Sequence, residues 1–245
     1  MCRLLCVRSG GEGFEMEEHL AALARIARDS SEYQGHGWGC AWIPAEESRR
    51  GGQDAARRED GASVTTSGGG RRGPGPWRLY HDIAPIWEDG GRPLGRATLL
   101  VAHARSAFRD EGIRVENNMP FTDGERVFAF NGELHGVRIR ERGRIGAEKV
   151  FNFVKRFDRG DFAAALVQGL DAIERRTRHM RAMNVAVADT GHRVHFASRF
   201  RENPTYFQMH TTVADGAHIL CSEPYPAAVA RMRWTPVANG HTGTL

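Results

Sequence analysis

The second residue of this 245-residue chain is the one best equipped for chemistry. Cys2 follows Met1 directly, and Met1 is normally clipped before a residue as small as cysteine. Clipping leaves a thiol and a free α-amine on one residue, a nucleophile that carries its own base. In model peptides the amine titrates near about 7.7–8.0 and the thiol near about 8.5, so both lie close to working pH. Taken alone, a cysteine near the start of a buried strand reads first as a small hydrophobe, and the rest of the chain reverses that. Three further stretches bear chemistry-capable residues: His103-Ala104-Arg105-Ser106-Ala107, Asn131-Gly132-Glu133-Leu134 and Cys221-Ser222-Glu223-Pro224. The first and third are expected at the end of an apolar strand, the second just after one.

The elements that must position these residues follow from periodicity. Residues 2–7 read as a short strand with apolar side chains on both faces, and residues 37–43 as a second buried strand. Leu20, Leu23, Ala24 and Ala27 recur at helical spacing behind Glu15, Glu17 and Glu18, which predicts a helix over 15–28. Structure resumes at Trp77. Strands are expected at 98–103 and at 127–130, the latter running into Asn131-Gly132. Ala147, Val150, Phe151 and Val154 mark a helix, and a second spans about 161–178 with Phe162, Leu166, Leu170 and Ile173 inward. Val185 and Val187, then Val194 and Phe196, alternate about Thr190-Gly191-His192 as a hairpin, and 217–221 is one more strand. Strands at both ends with helices between them make an α+β domain.

Composition bounds the function classes. The chain is 40% hydrophobic and 26% charged, ordinary for a soluble globular protein. It has no apolar run that would span a bilayer and no signal-like start, so no membrane association is expected and the cytoplasm is the expected location. The net charge is +4, with only two lysines, Lys149 and Lys155. Abundant Arg, Ala and Gly together look like a genome-wide bias, and no basic stripe interleaved with aromatics is present, so no nucleic-acid partner is expected. The four cysteines form no CxxC pair; on one extended strand Cys2 and Cys6 sit roughly 13 Å apart, too far for one metal ion or disulfide. All four are read as reduced thiols. From Glu46 to Pro76 there are eight glycines, two prolines, six arginines and five acids, with almost nothing large and apolar. That stretch is expected to be a flexible surface insertion within one domain spanning 1–245.

Together with the opening MCRLL and Gly37-Trp38-Gly39, these motifs resemble the class II glutamine amidotransferase family of N-terminal-nucleophile hydrolases. The similarity is closest to the stand-alone type that includes the γ-glutamyl amidase of ergothioneine synthesis. It implies a four-layer αββα sandwich of two antiparallel sheets. It also implies an amidohydrolase that cleaves a γ-glutamyl-type side-chain amide through a thioester acyl-enzyme. Cys2 is then the catalytic nucleophile, Asn131 and Gly132 supply the oxyanion donors, and Arg105 binds the α-carboxylate of a small-molecule amide substrate. The competing reading of Asn131-Gly132 is a hairpin turn, and that of Arg105 a surface arginine. With the N-terminal amine as base, His103 is read as a partly buried structural histidine, and Trp38 as core or pocket wall. No cofactor or metal is implied.

Two departures from the family pattern bear on the substrate. The family commonly has Ser-Asp-Ser-Glu before the helix, its Asp gripping the α-ammonium of glutamine; here Ile145-Gly146-Ala147-Glu148 puts Gly146 at that position. In Asn117-Asn118-Met119-Pro120-Phe121, Met119 stands where the family commonly has His. The parts for acyl transfer are all present, whereas the reader of a free α-amine is not. An amide whose α-amine is absent, acylated or read by other groups fits better. With no second domain expected to consume ammonia, the chain is either a free-standing hydrolase or a glutaminase subunit serving a separate synthase. The rival class is a catalytically silent ligand- or partner-binding member of the fold.

Overall fold

Alternation along the strands decides the layering. In the computed structural model, which describes residues 1–45, 71–72, 76–227 and 232–245 (Arg71, Arg72 and Asp110 by backbone alone), β1 (Arg3–Ser9) turns Leu5 and Val7 to one side and Leu4 and Cys6 to the other. Successive residues of a strand point to opposite faces, so a strand apolar throughout must be covered twice.

Around β1 the described residues form a nine-stranded sheet. It contains β2 (Phe14–Glu15), β3 (Trp38–Pro44), β4 (Arg71–Arg72), β5 (Arg78–Asp82), β6 (Arg96–Ala104), β11 (His210–Ala214), β12 (Ala217–Cys221) and β13 (Thr235–Pro236). Its order is β13-β11-β12-β1-β6-β3-β5-β4, with β2 on the edge of β6. The second sheet has five strands in the order β14-β10-β9-β8-β7: β7 (Phe121–Thr122), β8 (Arg126–Val137), β9 (Thr177–Asp189), β10 (Val194–Ala197) and β14 (Thr242–Thr244). All the pairings are antiparallel.

The helices cover the outer faces. α1 (Met16–Arg28) buries Met16, Leu20, Leu23 and Ala27 against Leu5, Leu100 and Ile219; Glu17 and Glu18 in its first turn and Arg25 and Arg28 in its last complement its dipole. α2 (Gly146–Lys155) and α3 (Phe162–Arg175) lie on the other outer face, over Phe128, Phe130, Val185 and Val187. Asp161 caps α3 by accepting the Ala164 N–H at 3.1 Å. Between the sheets Leu4, Cys6, Leu99 and Val101 meet Val127, Ala129, Ala186 and Phe196. The result is the four-layer αββα arrangement of an α+β domain. A short helix, α4 (Pro204–Phe207), closes one end. None of the helices among the described residues is long and apolar enough to cross a membrane.

Two expectations are corrected. Asn131-Gly132 does not follow a strand; it lies within β8, Asn131 opposite Asn184 and Gly132 opposite Met183, with a bulge between Glu133 and Leu134. The long partner β9 supplies ladder hydrogen bonds past the Asn-Gly pair, and this overrides the local turn preference. The second helix ends at Arg175 rather than 178, because Thr177 caps it by donating to the Ile173 carbonyl (2.7 Å) and already belongs to β9. The flexible insertion expected at 46–76 falls almost entirely outside the described residues; of it only Arg71, Arg72 and Pro76 are described, and Arg71–Arg72 pairs with β5.

Candidate active site

One cavity of about 810 Å³ is lined by Cys2, Arg105 and Gly132 together, along with Met1, Glu32, Ser106, Met119, Glu133 and Gly146. It opens where β1 begins and its antiparallel neighbour β6 ends, beside β8 and the start of α2.

Cys2 is held at the head of β1 by what lies on either side of that strand. Ser222 accepts the Leu4 N–H through its hydroxyl (3.1 Å) and donates its own N–H to the Leu4 carbonyl (3.0 Å). Glu223 pairs with Arg3 at 2.8 Å. The Cys221-Ser222-Glu223 stretch is thus a clamp on β1. The Cys2 thiol accepts the Ser106 N–H at 3.4 Å and faces the Ser106 carbonyl at 3.6 Å. Burial pushes this thiol up; the N-terminal ammonium, the Ser106 N–H and Arg105 oppose that rise.

Arg105 follows the last residue of β6 and is 5% exposed. Its Nη2 donates to the Gly112 carbonyl at 2.9 Å, and its Nη1 points at Asn118 Oδ1 at 3.4 Å. Among the described residues no carboxylate pairs with it, and burial lowers its pKa. A buried guanidinium that meets only neutral acceptors retains its demand for an anion. Its backbone is fixed by Gly37: the Arg105 N–H donates to the Gly37 carbonyl at 2.9 Å. Gly37 sits at φ 98°, and a Cβ there would lie 2.2 Å from Asn118 Nδ2 and 2.7 Å from the Asp82 carbonyl. Only glycine suits that corner.

Asn131, next to Gly132 in β8, is fully buried and does not line the cavity; among the described residues its Nδ2 and Oδ1 have no hydrogen-bond partner. A buried side-chain amide with neither atom satisfied is rare. Gly132 lines the cavity with backbone, and a Cβ there would meet the Ala182 carbonyl oxygen at 2.3 Å. Gly146 opens α2, and a Cβ on it would meet nothing within 4 Å. His103 is fully rather than partly buried; its Nε2 lies 3.1 Å from the Phe130 carbonyl, and burial holds its pKa at about 3. Trp38 belongs to the core and donates from Nε1 to Asp89 at 2.9 Å.

Sequence reading missed the surroundings of the N-terminus. The Met1 ammonium pairs with Glu32, and its carbonyl accepts from Gln34 and from the Tyr206 hydroxyl. Nearby, Arg181 gathers Glu133 (2.7 Å), Glu202 (3.1 Å) and Glu32 (3.6 Å), and His135 meets Glu133 at 2.6 Å. No local signal marks these residues, since the fold alone brings them together.

No protein-family model matches the sequence, and no curated protein matches it. Solved structures do. A glutamine aminotransferase class-II domain protein from Silicibacter pomeroyi is 18% identical, with a TM-score of 0.54 over 99% of this chain and 94% of that one. Glutamine phosphoribosylpyrophosphate amidotransferase from B. subtilis, solved with ADP and GMP, is 12% identical, with a TM-score of 0.63 over 100% of this chain. A structure described as the allosteric regulatory enzyme of purine biosynthesis is also 12% identical, with a TM-score of 0.62 over 98% of this chain. The chain spans 49% and 45% of the lengths of these last two. With its two antiparallel sheets between helical layers, the chain has the fold of the class II glutamine amidotransferase domains, the N-terminal-nucleophile hydrolase sandwich.

Proposed function

We propose that the chain is an amidohydrolase that uses Cys2, freed by removal of Met1, to cleave a side-chain amide of the γ-glutamyl type. The observation that carries this reading is the shared cavity, which Cys2, Arg105 and Gly132 line together.

In the reaction the Cys2 sulfur forms a bond to the amide carbon while the thiol proton passes to the Cys2 α-nitrogen. The oxygen becomes an oxyanion that the Gly132 N–H and the Asn131 amide stabilise; Nδ2 of Asn131 is unpartnered, and this role requires its side chain, which does not line the cavity, to turn toward the substrate. The C–N bond then breaks, and the proton on the α-nitrogen goes to the departing amine. Water adds to the thioester, the acid leaves, and the thiol is restored. Arg105 anchors a carboxylate on the acyl half. Gly146 offers no charge to an α-ammonium, and of the acids lining the cavity Glu133 is taken up by Arg181 and His135. An acyl half lacking a free α-amine loses nothing at position 146, whereas the α-ammonium of glutamine would have to be met by Glu32 or Glu111, which also line the cavity.

The test is hydrolysis of glutaramate and L-glutamine by the clipped protein and by Cys2→Ala. Turnover by the clipped wild type that vanishes in Cys2→Ala supports the reading; equal turnover by both removes it.

A further inference from the structure

Met1 occupies a built seat. Its side chain packs against Ala182, Phe200, Tyr206 and Phe207. The Tyr206 hydroxyl donates to the Met1 carbonyl at 2.6 Å, Gln34 Nε2 donates to the same oxygen, and Glu32 takes the ammonium. Gln34 is fully buried, and its Oε1 has no partner. The Arg3 guanidinium lies 3.9 Å over the Tyr206 ring, and the ion pair of Arg3 with Glu223 holds both in place. Two donors, the Glu32 carboxylate and an apolar wall give this seat a defined chemistry. It adjoins the reaction cavity, because Met1, Cys2 and Glu32 all line that cavity.

We infer that this seat, once Met1 is removed, holds the departing amine of the substrate: an apolar amino-acid amide of about methionine's size, linked through its α-nitrogen to the acyl half. The inference rests on the amidohydrolase reading above. In that reaction the scissile nitrogen takes its proton from the Cys2 α-nitrogen and must lie within hydrogen-bond reach of it. Met1 is bonded to that same nitrogen, so the substituents of the departing amine and the atoms of Met1 share one volume. Removal of Met1 leaves the Tyr206 hydroxyl and Gln34 Nε2 as two free donors beside the departing group, ready for a carbonyl that it carries. The N–H of a terminal amide meets the Glu32 carboxylate that held the Met1 ammonium, and an apolar chain covers Phe200 and Phe207. Departure of plain ammonia would leave that wall and the two donors unused.

The experiment compares three amides with a common acyl half on the clipped protein: the unsubstituted carboxamide, the glycinamide and the L-methioninamide, in both γ-glutamyl and glutaryl series. The methioninamide is expected to exceed the glycinamide at least tenfold in kcat/KM, and also to exceed the carboxamide. Tyr206→Phe keeps the ring beneath Arg3 and should lower the methioninamide-to-carboxamide ratio about three- to tenfold. Equal or better use of the carboxamide, or a ratio unmoved by Tyr206→Phe, overturns this inference and leaves the amidohydrolase reading standing. Turnover of none of the three removes both.

Discussion

His103 Nε2 lies 3.1 Å from the carbonyl oxygen of Phe130, and this bond joins the two sheets at the site. Two residues beyond His103 is Arg105, and next to Phe130 is Asn131. The bond therefore sets the spacing between the carboxylate anchor and the oxyanion donors. Nδ1 of His103 has no partner, so the ring is neutral and donates from Nε2. His19, buried against the Tyr225 hydroxyl at 2.8 Å, is likewise held at about 4. Both folded values lie below the ordinary histidine value, so between about pH 6.5 and 4 the unfolded chain binds protons that the fold refuses. Stability must fall as pH drops through that window, by roughly 1.4 kcal/mol per pH unit for each histidine. Denaturant unfolding at pH 7.5, 6 and 5 checks this, with His103→Gln expected to flatten the slope. An unchanged slope in His103→Gln would assign the acid sensitivity elsewhere.

Asn131→Ala should separate activity from stability. The substitution removes two buried polar atoms that nothing satisfies, so the melting temperature should shift by no more than about 4 °C, the effect of roughly 1 kcal/mol. One oxyanion donor is worth about 10²–10³ in kcat. Melting curves and steady-state rates on one preparation suffice; full activity would take Asn131 out of the site.

The two cavity glycines should behave oppositely. Gly132→Ala drives a Cβ into the Ala182 carbonyl at 2.3 Å, a clash with backbone that only a strand shift relieves. It should destabilise by about 1–3 kcal/mol and abolish turnover. Gly146→Asp places its side chain in open space. It should fold normally and raise kcat/KM for L-glutamine relative to glutaramate, by about tenfold for one new charge-assisted contact. An unchanged preference would mean that position 146 does not face the α-carbon.

Arg105→Lys keeps the charge but not the fork. It should raise KM about 10- to 100-fold while kcat changes little, because the lost contact is to a remote carboxylate. An unaltered KM would show that the substrate carboxylate binds elsewhere.

Legibility in the sequence followed the range of the interactions. The strand carrying Leu4 to Val7 and the helix carrying Leu20, Leu23 and Ala27 are written in their own periodicity, so the α+β class is legible there, whereas the four layers follow only from the family resemblance. Short strands such as β7, β13 and β14 exist only because a neighbour pairs with them, and their two or three residues bear no period of their own. Asn131-Gly132 carries a strong local turn signal that β9 overrides across the sheet. In the cavity Cys2, Arg105 and Gly132 were visible as residue types suited to acyl chemistry. Glu32, Gln34 and Tyr206 were not, because Tyr206 reaches the N-terminus from 205 residues away.

The most direct test of the account is the intact mass of the purified protein after treatment with a diazo-ketone analogue of glutamine that lacks the α-amine, followed by mapping of any adduct. The account predicts loss of Met1 and a single adduct on Cys2, with no adduct when an added residue after Met1 blocks clipping. A correctly clipped chain that stays unmodified, or an adduct that forms equally on the blocked chain, would contradict it.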